Sequence, residues 1–265
     1  MKTILITGST DGIGKLTATK LAKAGHQVLL HGRSPEKLKS TIEAIQKESN
    51  NKNVSGYVAD LSNLSNISAM IQQITTKVSK IDVLINNAGV FKSSIALNED
   101  GYDLRLVVNY FAPYLLTNGL LPILKNSESP RLINLSSAAQ AAVSLEAISG
   151  NEALSSQEAY AQSKLALTMW SFAFAQANPA ITTIAVNPGS LLNTKMVQEA
   201  YGRHWSSADK GADILYDLAL LEKYKHHSGE YFDNDKGDFN EAHPDAYDEE
   251  KIAQLLAQTA KIING

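Results

Sequence analysis

The chain has 265 residues, a formal charge of −3 and no cysteine. Its length suits one large α/β domain or two small ones, and is enough to bury a substantial core. The composition excludes disulfides, thiol catalysis and cysteine metal sites, and the lack of a basic run leaves no surface suited to nucleic acid.

Ile4-Leu5-Ile6 is a short apolar run of the kind that forms a buried parallel strand. It is too short for a secretion signal and breaks at Gly8. No later apolar run approaches the ~18 residues needed to cross a bilayer, so a soluble, cytoplasmic protein without a membrane span is expected. Gly8, Ser9, Thr10, Asp11, Gly12, Ile13 and Gly14 come next, and a helical pattern runs from Lys15 to Ala24. Strand, glycine-rich turn and helix in that order is the context of a dinucleotide fingerprint. Gly8 allows the tight turn, Gly12 lets backbone approach a pyrophosphate, and Gly14 lets the helix pack on the sheet. The helix N-terminus offers free N–H groups to phosphates. An ordinary glycine-rich βα turn would read the same way.

Gln27 to His31 is the second strand. A carboxylate at its end would hold a ribose 2′-OH, but the chain has Gly32-Arg33 there. The glycine leaves room for a 2′-phosphate and the arginine can pair with it, which favours NADP(H) over NAD(H); Asp11 weakens that preference slightly. As a structural reading, Arg33 is a solvated loop charge. An amphipathic helix spans Glu36 to Ser49, and Val54 to Ala59 is the third strand, ending at Asp60-Leu61. Asp60 could accept from an adenine amino group, or cap the helix that begins near Asn63 and runs to about Lys80. Ile81 to Ile85 is the fourth strand, followed by Asn86-Asn87-Ala88-Gly89, small enough to let a cofactor lie on the backbone, or simply a turn.

A long helical pattern from about Asp100 to Leu124 carries Asn109 inside an apolar stretch, with Pro113 and Pro122 as kink signals. The buried amide must find partners, structural or water. Arg131 to Leu135 is the fifth strand and ends at Ser136-Ser137, at the sheet edge where doubly wound folds bind ligands; a turn or N-cap is the alternative. Ala138 to Ser155 reads as a loop with a short helix. Tyr160 and Lys164 then lie four apart on a helix from Ser156 to Ala177, one turn apart on one face. A phenol titrates near pH ~10, and a cation beside it brings it toward a useful acid/base range. By itself the pair is a common accident on helices.

Ile181 to Val186 is the sixth strand, ending at Asn187-Pro188-Gly189. Residues 190–207 lack periodicity and carry Met196, Tyr201, His204 and Trp205; the aromatics could line an apolar pocket or form the core of a short helix, and a substrate lid is expected over 190–225. A helix from Ser207 to Glu222, a surface pair His226-His227 with no metal role, a seventh strand at Gly229 to Phe232, an acidic turn-rich stretch and a helix from Asp245 to Ile263 complete the chain. Strands alternate with helices and no linker or repeat appears. The expectation is a single domain over residues 1–265, an α/β doubly wound parallel sheet of about seven strands with helices on both faces.

The ordered set Thr7-Gly8-x-x-x-Gly12-x-Gly14, Asp60, Asn86-Asn87-Ala88-Gly89, Asn109, Ser137, Tyr160-x-x-x-Lys164 and Asn187-Pro188-Gly189 resembles the short-chain dehydrogenase/reductase family over nearly the whole chain. The longer spacing from Ser137 to Tyr160, with Ala208 to Ala212 and Gly229 to Phe232, is similar to its retinol dehydrogenase-like branch. The resemblance implies a catalytic tetrad of Asn109, Ser137, Tyr160 and Lys164, with Ser137 favoured over Ser136. Tyr160 would be the general acid or base, Lys164 would lower its pKa and hold the nicotinamide ribose, Ser137 would bind the substrate oxygen, and Asn109 would hold a water. Cofactor contacts would fall on residues 8 to 14, Arg33, Asp60, Leu61, Asn87, Ala88, Gly89, Tyr160, Lys164, Pro188 and Gly189. Thr194 stands one residue later than the family's usual threonine and is the choice for the carboxamide contact. NADP(H), an apolar aldehyde, ketone or alcohol as small-molecule substrate, and a homodimer are compatible with this; an NAD(H)-dependent alcohol dehydrogenase is the alternative. An NADP(H)-sensing regulator or a scaffold would have no need of the proton-transfer pair. Pocket walls are expected from residues 91–95, 143–155 and 190–205.

Overall fold

The computed structural model describes residues 1–264. β1 (Thr3–Ile6), β2 (Gln27–Gly32), β3 (Val54–Val58), β4 (Val83–Asn86), β5 (Arg131–Leu135), β6 (Thr182–Asn187), β7 (Glu230–Asp233) and β8 (Asp238–Phe239) form one sheet in the order β3-β2-β1-β4-β5-β6-β7-β8. All neighbours are parallel except β7 and β8. Strand order reverses between β1 and β4, and ligands of such sheets bind at the carboxyl ends beside that reversal.

Strand side chains alternate between two cores, as a period of two requires. Leu5, Leu84 and Leu132 face one core with helices α3 (Leu64–Lys77), α5 (Ala112–Leu124), α7 (Ser156–Ala177) and α10 (Glu249–Asn264). Ile4, Ile6, Val83, Ile85 and Ile133 face the other, with α1 (Gly12–Lys23), α2 (Pro35–Ser49) and α9 (Ala208–Leu220). Both faces of the sheet are covered, which is why the strands read as near-continuous apolar runs.

Three elements differ from expectation. An eighth strand pairs antiparallel with β7, Phe239 opposite Phe232. Phe239 also stacks on His227, ring centroids 4.1 Å apart, so this histidine is half of a ring stack. The helix expected from Asp100 starts at Leu104, capped by Asp103. Its first residues, α4 (Leu104–Leu106), lead into a π turn, Val107–Phe111, whose Ala112 N–H donates to the Val107 carbonyl. Pro113 has no N–H to give the Asn109 carbonyl, and the widened turn accommodates that loss rather than a sharp kink. Residues 244–247 form a 3₁₀ turn, so the last helix begins at Glu249.

Leu104–Leu124, 21 residues, is long and apolar enough to span a membrane by length and composition, which corrects the expectation that no run approaches that length. Within the fold, 61% of its most apolar window is buried, and Leu116, Leu120 and Leu124 belong to the core.

Candidate active site

The glycine-rich turn after β1, the expected phosphate turn, is locked from both sides. Asp11 caps α1 by accepting the Gly12 N–H at 2.8 Å. Thr7 Oγ1 accepts the N–H groups of Asn87 and Ala88, each at 3.0 Å, and Asn87 Nδ2 donates to the carbonyls of Thr7 (2.7 Å) and Gly8 (3.0 Å). A Cβ on Gly8 would lie 2.8 Å from Ala88 Cα, and one on Gly14 2.4 Å from Asn87 Nδ2. Gly12, at φ +52°, meets only the Thr194 side chain, at 3.6 Å or more. Thr194 caps α8 (Lys195–Tyr201) through its hydroxyl, so its methyl faces the turn. The Tyr201 side chain lies outside the described residues.

Ser9 is turned inward: its Oγ donates to the Ile6 carbonyl at 2.9 Å and accepts the His31 N–H at 3.0 Å. Thr10 explains Gly32, since a Cβ there would lie 2.5 Å from Thr10 Cγ2. The missing side chain at position 32 therefore makes way for a threonine, and not directly for a phosphate. Arg33 is exposed, with no hydrogen bond or ion pair to another described residue. Lys37 Nζ pairs with Asp11 at 2.7 Å, and this bond holds the Asp11 carboxyl below its usual range. Asp60 does not cap the following helix; Asn63 does, while Asp60 accepts from Ser62 in its own turn. Leu61 is buried. Ile13 faces Gly211 of α9.

Sequence reasoning passed over His31. It is buried, its Nδ1 accepts the Gly8 N–H at 3.0 Å, and its Nε2 donates to the Ala59 carbonyl at 3.1 Å. Burial pushes its pKa down to about 4, so the neutral ring braces the phosphate turn against the end of β3.

The helix α7 begins with a capping box. Ser155 Oγ accepts the Glu158 N–H, and Glu158 accepts the Ser155 N–H. Tyr160 follows in the second turn. Lys164, one turn on, is 4% exposed and donates from Nζ to the Leu135 carbonyl at 2.7 Å. Its Nζ lies 5.5 Å from the Tyr160 ring centroid. Burial lowers its pKa to about 8.

Ser136 and Ser137 separate clearly. Ser136 is buried, with Oγ 2.7 Å from Thr168 Oγ1. Ser137 is half-buried and its Oγ accepts the Ala139 N–H at 3.1 Å. The Ser137 carbonyl is held by Gln140 Nε2 and by the Tyr231 hydroxyl, at 2.9 and 3.0 Å. Asn109 lies in the π turn. Its Oδ1 accepts the Val90 N–H, and its Nδ2 donates to the Val90 carbonyl and to Ser163 Oγ. Ser163 in turn donates to the Tyr160 carbonyl at 2.7 Å. The Asn109 amide is thus a clamp between the loop after β4 and α7.

These residues converge at Gly89. A Cβ there would lie 3.4 Å from Asn109 Oδ1, 3.6 Å from Lys164 Nζ and 3.8 Å from Met196 Cε. Tyr160 opens onto a cleft of about 530 Å³, lined also by Phe91, Ala139, Gln140, Ala141, Ser155, Gln157, Glu158 and Ala161. Phe91 meets the Tyr160 ring edge-on, centroids 4.8 Å apart.

The sequence pattern of the short chain dehydrogenase family matches residues 2–204. Retinol dehydrogenase 13 of Homo sapiens is 32% identical over 282 residues, covering 99% of this chain and 84% of that one. Retinol dehydrogenase 12 of Bos taurus is 32% identical over 248 residues, covering 89% and 78%. Among solved structures, a Shigella flexneri 2a str. 301 chain described as a short chain dehydrogenase complexed with NADP matches with a TM-score of 0.71 at 26% identity, over 88% of this chain and 97% of that one.

The chain belongs to the short-chain dehydrogenase family.

This short-chain dehydrogenase is an oxidoreductase of the retinol dehydrogenase-like branch. Its residues fit a nicotinamide dinucleotide. Backbone stays open at Gly12 at the start of a twelve-residue helix, and the space a Cβ would fill at Gly89 faces Asn109 and Lys164. Pro188 and Gly189 follow β6 and are tethered there: Asn187 Oδ1 accepts the Gly189 N–H, and Asn234 Nδ2 donates to the Pro188 carbonyl. Of the expected pocket walls, Phe91 and Ser155 line the Tyr160 cleft, whereas Val143 and Leu145, the latter opening α6 (Leu145–Ile148), line a separate cavity beside α10. The cleft is apolar at Phe91 and three alanines and polar at Gln140, Gln157 and Glu158. Of the two residues that hold the Ser137 carbonyl, Gln140 lies outside the motifs, and Tyr231 lies in the Gly229 to Phe232 stretch, where the sequence pointed to a strand and not to a site role.

Proposed function

We propose that this short-chain dehydrogenase interconverts an aldehyde or ketone and its alcohol with NADP(H), using Tyr160 as the general acid and base. The observation that carries this reading is the placement of Tyr160 on the cleft wall with a fully enclosed Lys164 behind its ring. A cation there stabilises phenolate over phenol and draws the Tyr160 pKa toward neutral pH. When bound, the nicotinamide supplies or takes the hydride. Tyr160 then gives its hydroxyl proton to the carbonyl oxygen in reduction and removes it from the alcohol in oxidation. Ser137 donates a hydrogen bond to the same oxygen and stabilises the developing alkoxide. Lys164 also holds the ribose hydroxyls, and Thr194 the carboxamide. The Asn109 amide is taken up by Val90 and Ser163, so its own part is to fix the π turn beside Lys164, and its carbonyl is the group placed to hold a water.

NADP(H) is favoured by the exposed Arg33 and by Lys37, which neutralises Asp11 beside the phosphate turn. The NADP complex of the Shigella flexneri chain supports the same preference. The retinol dehydrogenases it resembles and the Phe91 and alanine lining of the cleft support an apolar aldehyde or ketone, while Gln140, Gln157 and Glu158 favour substrates with a hydrogen-bonding end. Loss of reduced cofactor, followed with NADPH and NADH against a panel of aldehydes and ketones, tests the reading. It predicts turnover that prefers NADPH; turnover with NADH alone would overturn the cofactor assignment.

A further inference from the structure

Arg105 is 3% exposed, an expensive place for a guanidinium unless its donors are used. They are used on three separate chain segments. Nη1 donates to both carboxylate oxygens of Asp103 at 3.0 Å, at the start of α4. Nε donates to the Phe91 carbonyl at 2.9 Å, in the loop after β4. Nη2 donates to Ser156 Oγ at 2.6 Å, on the first residue of α7.

Two of those segments bracket Tyr160. Phe91 supplies the ring that packs edge-on against the phenol at 4.8 Å. Ser156 lies four residues before Tyr160, on the same helix face one turn away. The Asp103 carboxylate fixes the guanidinium, whose planar fork then presents its remaining N–H groups in set directions.

We propose that Arg105 is a positioning residue that holds the Phe91 wall and the first turn of α7 at a fixed separation, and so sets where the Tyr160 hydroxyl stands in the cleft. This rests on Tyr160 being the proton-transfer group. Lysine at 105 can pair with Asp103 but has no fork to span Phe91 and Ser156 together. Position and stability therefore separate in Arg105→Lys.

The test measures kcat, substrate KM, NADPH affinity and thermal midpoint for Arg105→Lys, Arg105→Met and Ser156→Ala beside the wild type and Tyr160→Phe. Arg105→Lys is expected to keep most of the thermal midpoint and NADPH affinity while kcat falls about ten-fold or more, since small misplacements of reacting groups cost that much. Ser156→Ala should show a smaller fall in kcat of the same kind. Wild-type kcat in Arg105→Lys, with Tyr160→Phe inactive, would overturn the positioning role and leave Arg105 a purely structural tie. Near-normal turnover in Tyr160→Phe would instead remove the reading on which the proposal rests. Arg105→Met adds the size of the full effect where it folds; the lysine and Ser156 variants decide the matter without it.

Discussion

Lys164 Nζ donates to the Leu135 carbonyl at 2.7 Å from a position closed to solvent. The bond joins the end of β5, where Ser136-Ser137 begins, to the helix that carries Tyr160. Its cost is a buried cation with no carboxylate beside it among the described residues, and burial lowers its pKa to about 8.

That cost makes a prediction about stability and activity together. Between pH 8 and 10.5 the unfolded chain binds more protons at this lysine than the folded one, so its burden on folding is largest below pH 8 and is relieved as pH rises through that window. Lys164→Met should therefore raise the thermal midpoint at pH 7, while turnover falls by ~100-fold or more. Thermal melts at pH 7 and pH 10 check the first part; a mutant less stable than wild type at pH 7 would contradict it.

His31 gives a second pH effect of the same sign in a lower window. Its folded pKa of about 4 lies below the ordinary 6.5, so on acidification the unfolded chain takes the proton first. Stability from the neutral His31 is complete above pH 6.5 and falls as pH drops toward 4, by on the order of 3 kcal/mol. Denaturant melts across this range should show His31→Gln with a shallower acid slope than wild type.

The phosphate turn has no room at its third glycine. Gly14→Ala would set a methyl 2.4 Å from Asn87 Nδ2 and 2.7 Å from the Gly8 carbonyl. Displacing the Asn87 amide frees the Thr7 and Gly8 carbonyls it holds. Cofactor affinity, measured by quenching of protein fluorescence, should fall by about ten-fold or more.

Cofactor choice should follow two basic side chains. Arg33→Ala is expected to weaken NADPH binding by about ten-fold or more and to leave NADH nearly unchanged, the loss of one charge-assisted contact. Lys37→Ala leaves Asp11 unpaired beside the turn and should weaken binding of both cofactors. Titrations with each reduced cofactor distinguish the two patterns.

Much of this was legible in the sequence because the signals were local. β-runs such as Ile4 to Ile6 are buried on both faces, and the helix from Ser156 to Ala177 begins at its own capping box, so both appear in composition and spacing. The order of the motifs carried the family. What stayed hidden depends on partners far along the chain. β8 is only two residues long and exists through its pairing with β7. The π turn at Asn109 looks like ordinary helix until Pro113 and the Val90 contacts are seen together. Gly32 reads as space for a phosphate until Thr10 is found occupying that space. His31 and Arg105 are single residues whose meaning lies in the backbone groups they reach, which no periodicity reveals.

Proton transfer by Tyr160 decides the mechanism. The direct measurement is single-turnover oxidation of NADPH by Tyr160→Phe with a carbonyl substrate that the wild type reduces, alongside the mutant's NADPH affinity. Loss of turnover by at least ~100-fold with affinity within about two-fold of wild type is the expected result. Turnover close to that of the wild type would contradict it, and the proton would have to come from another group in the cleft.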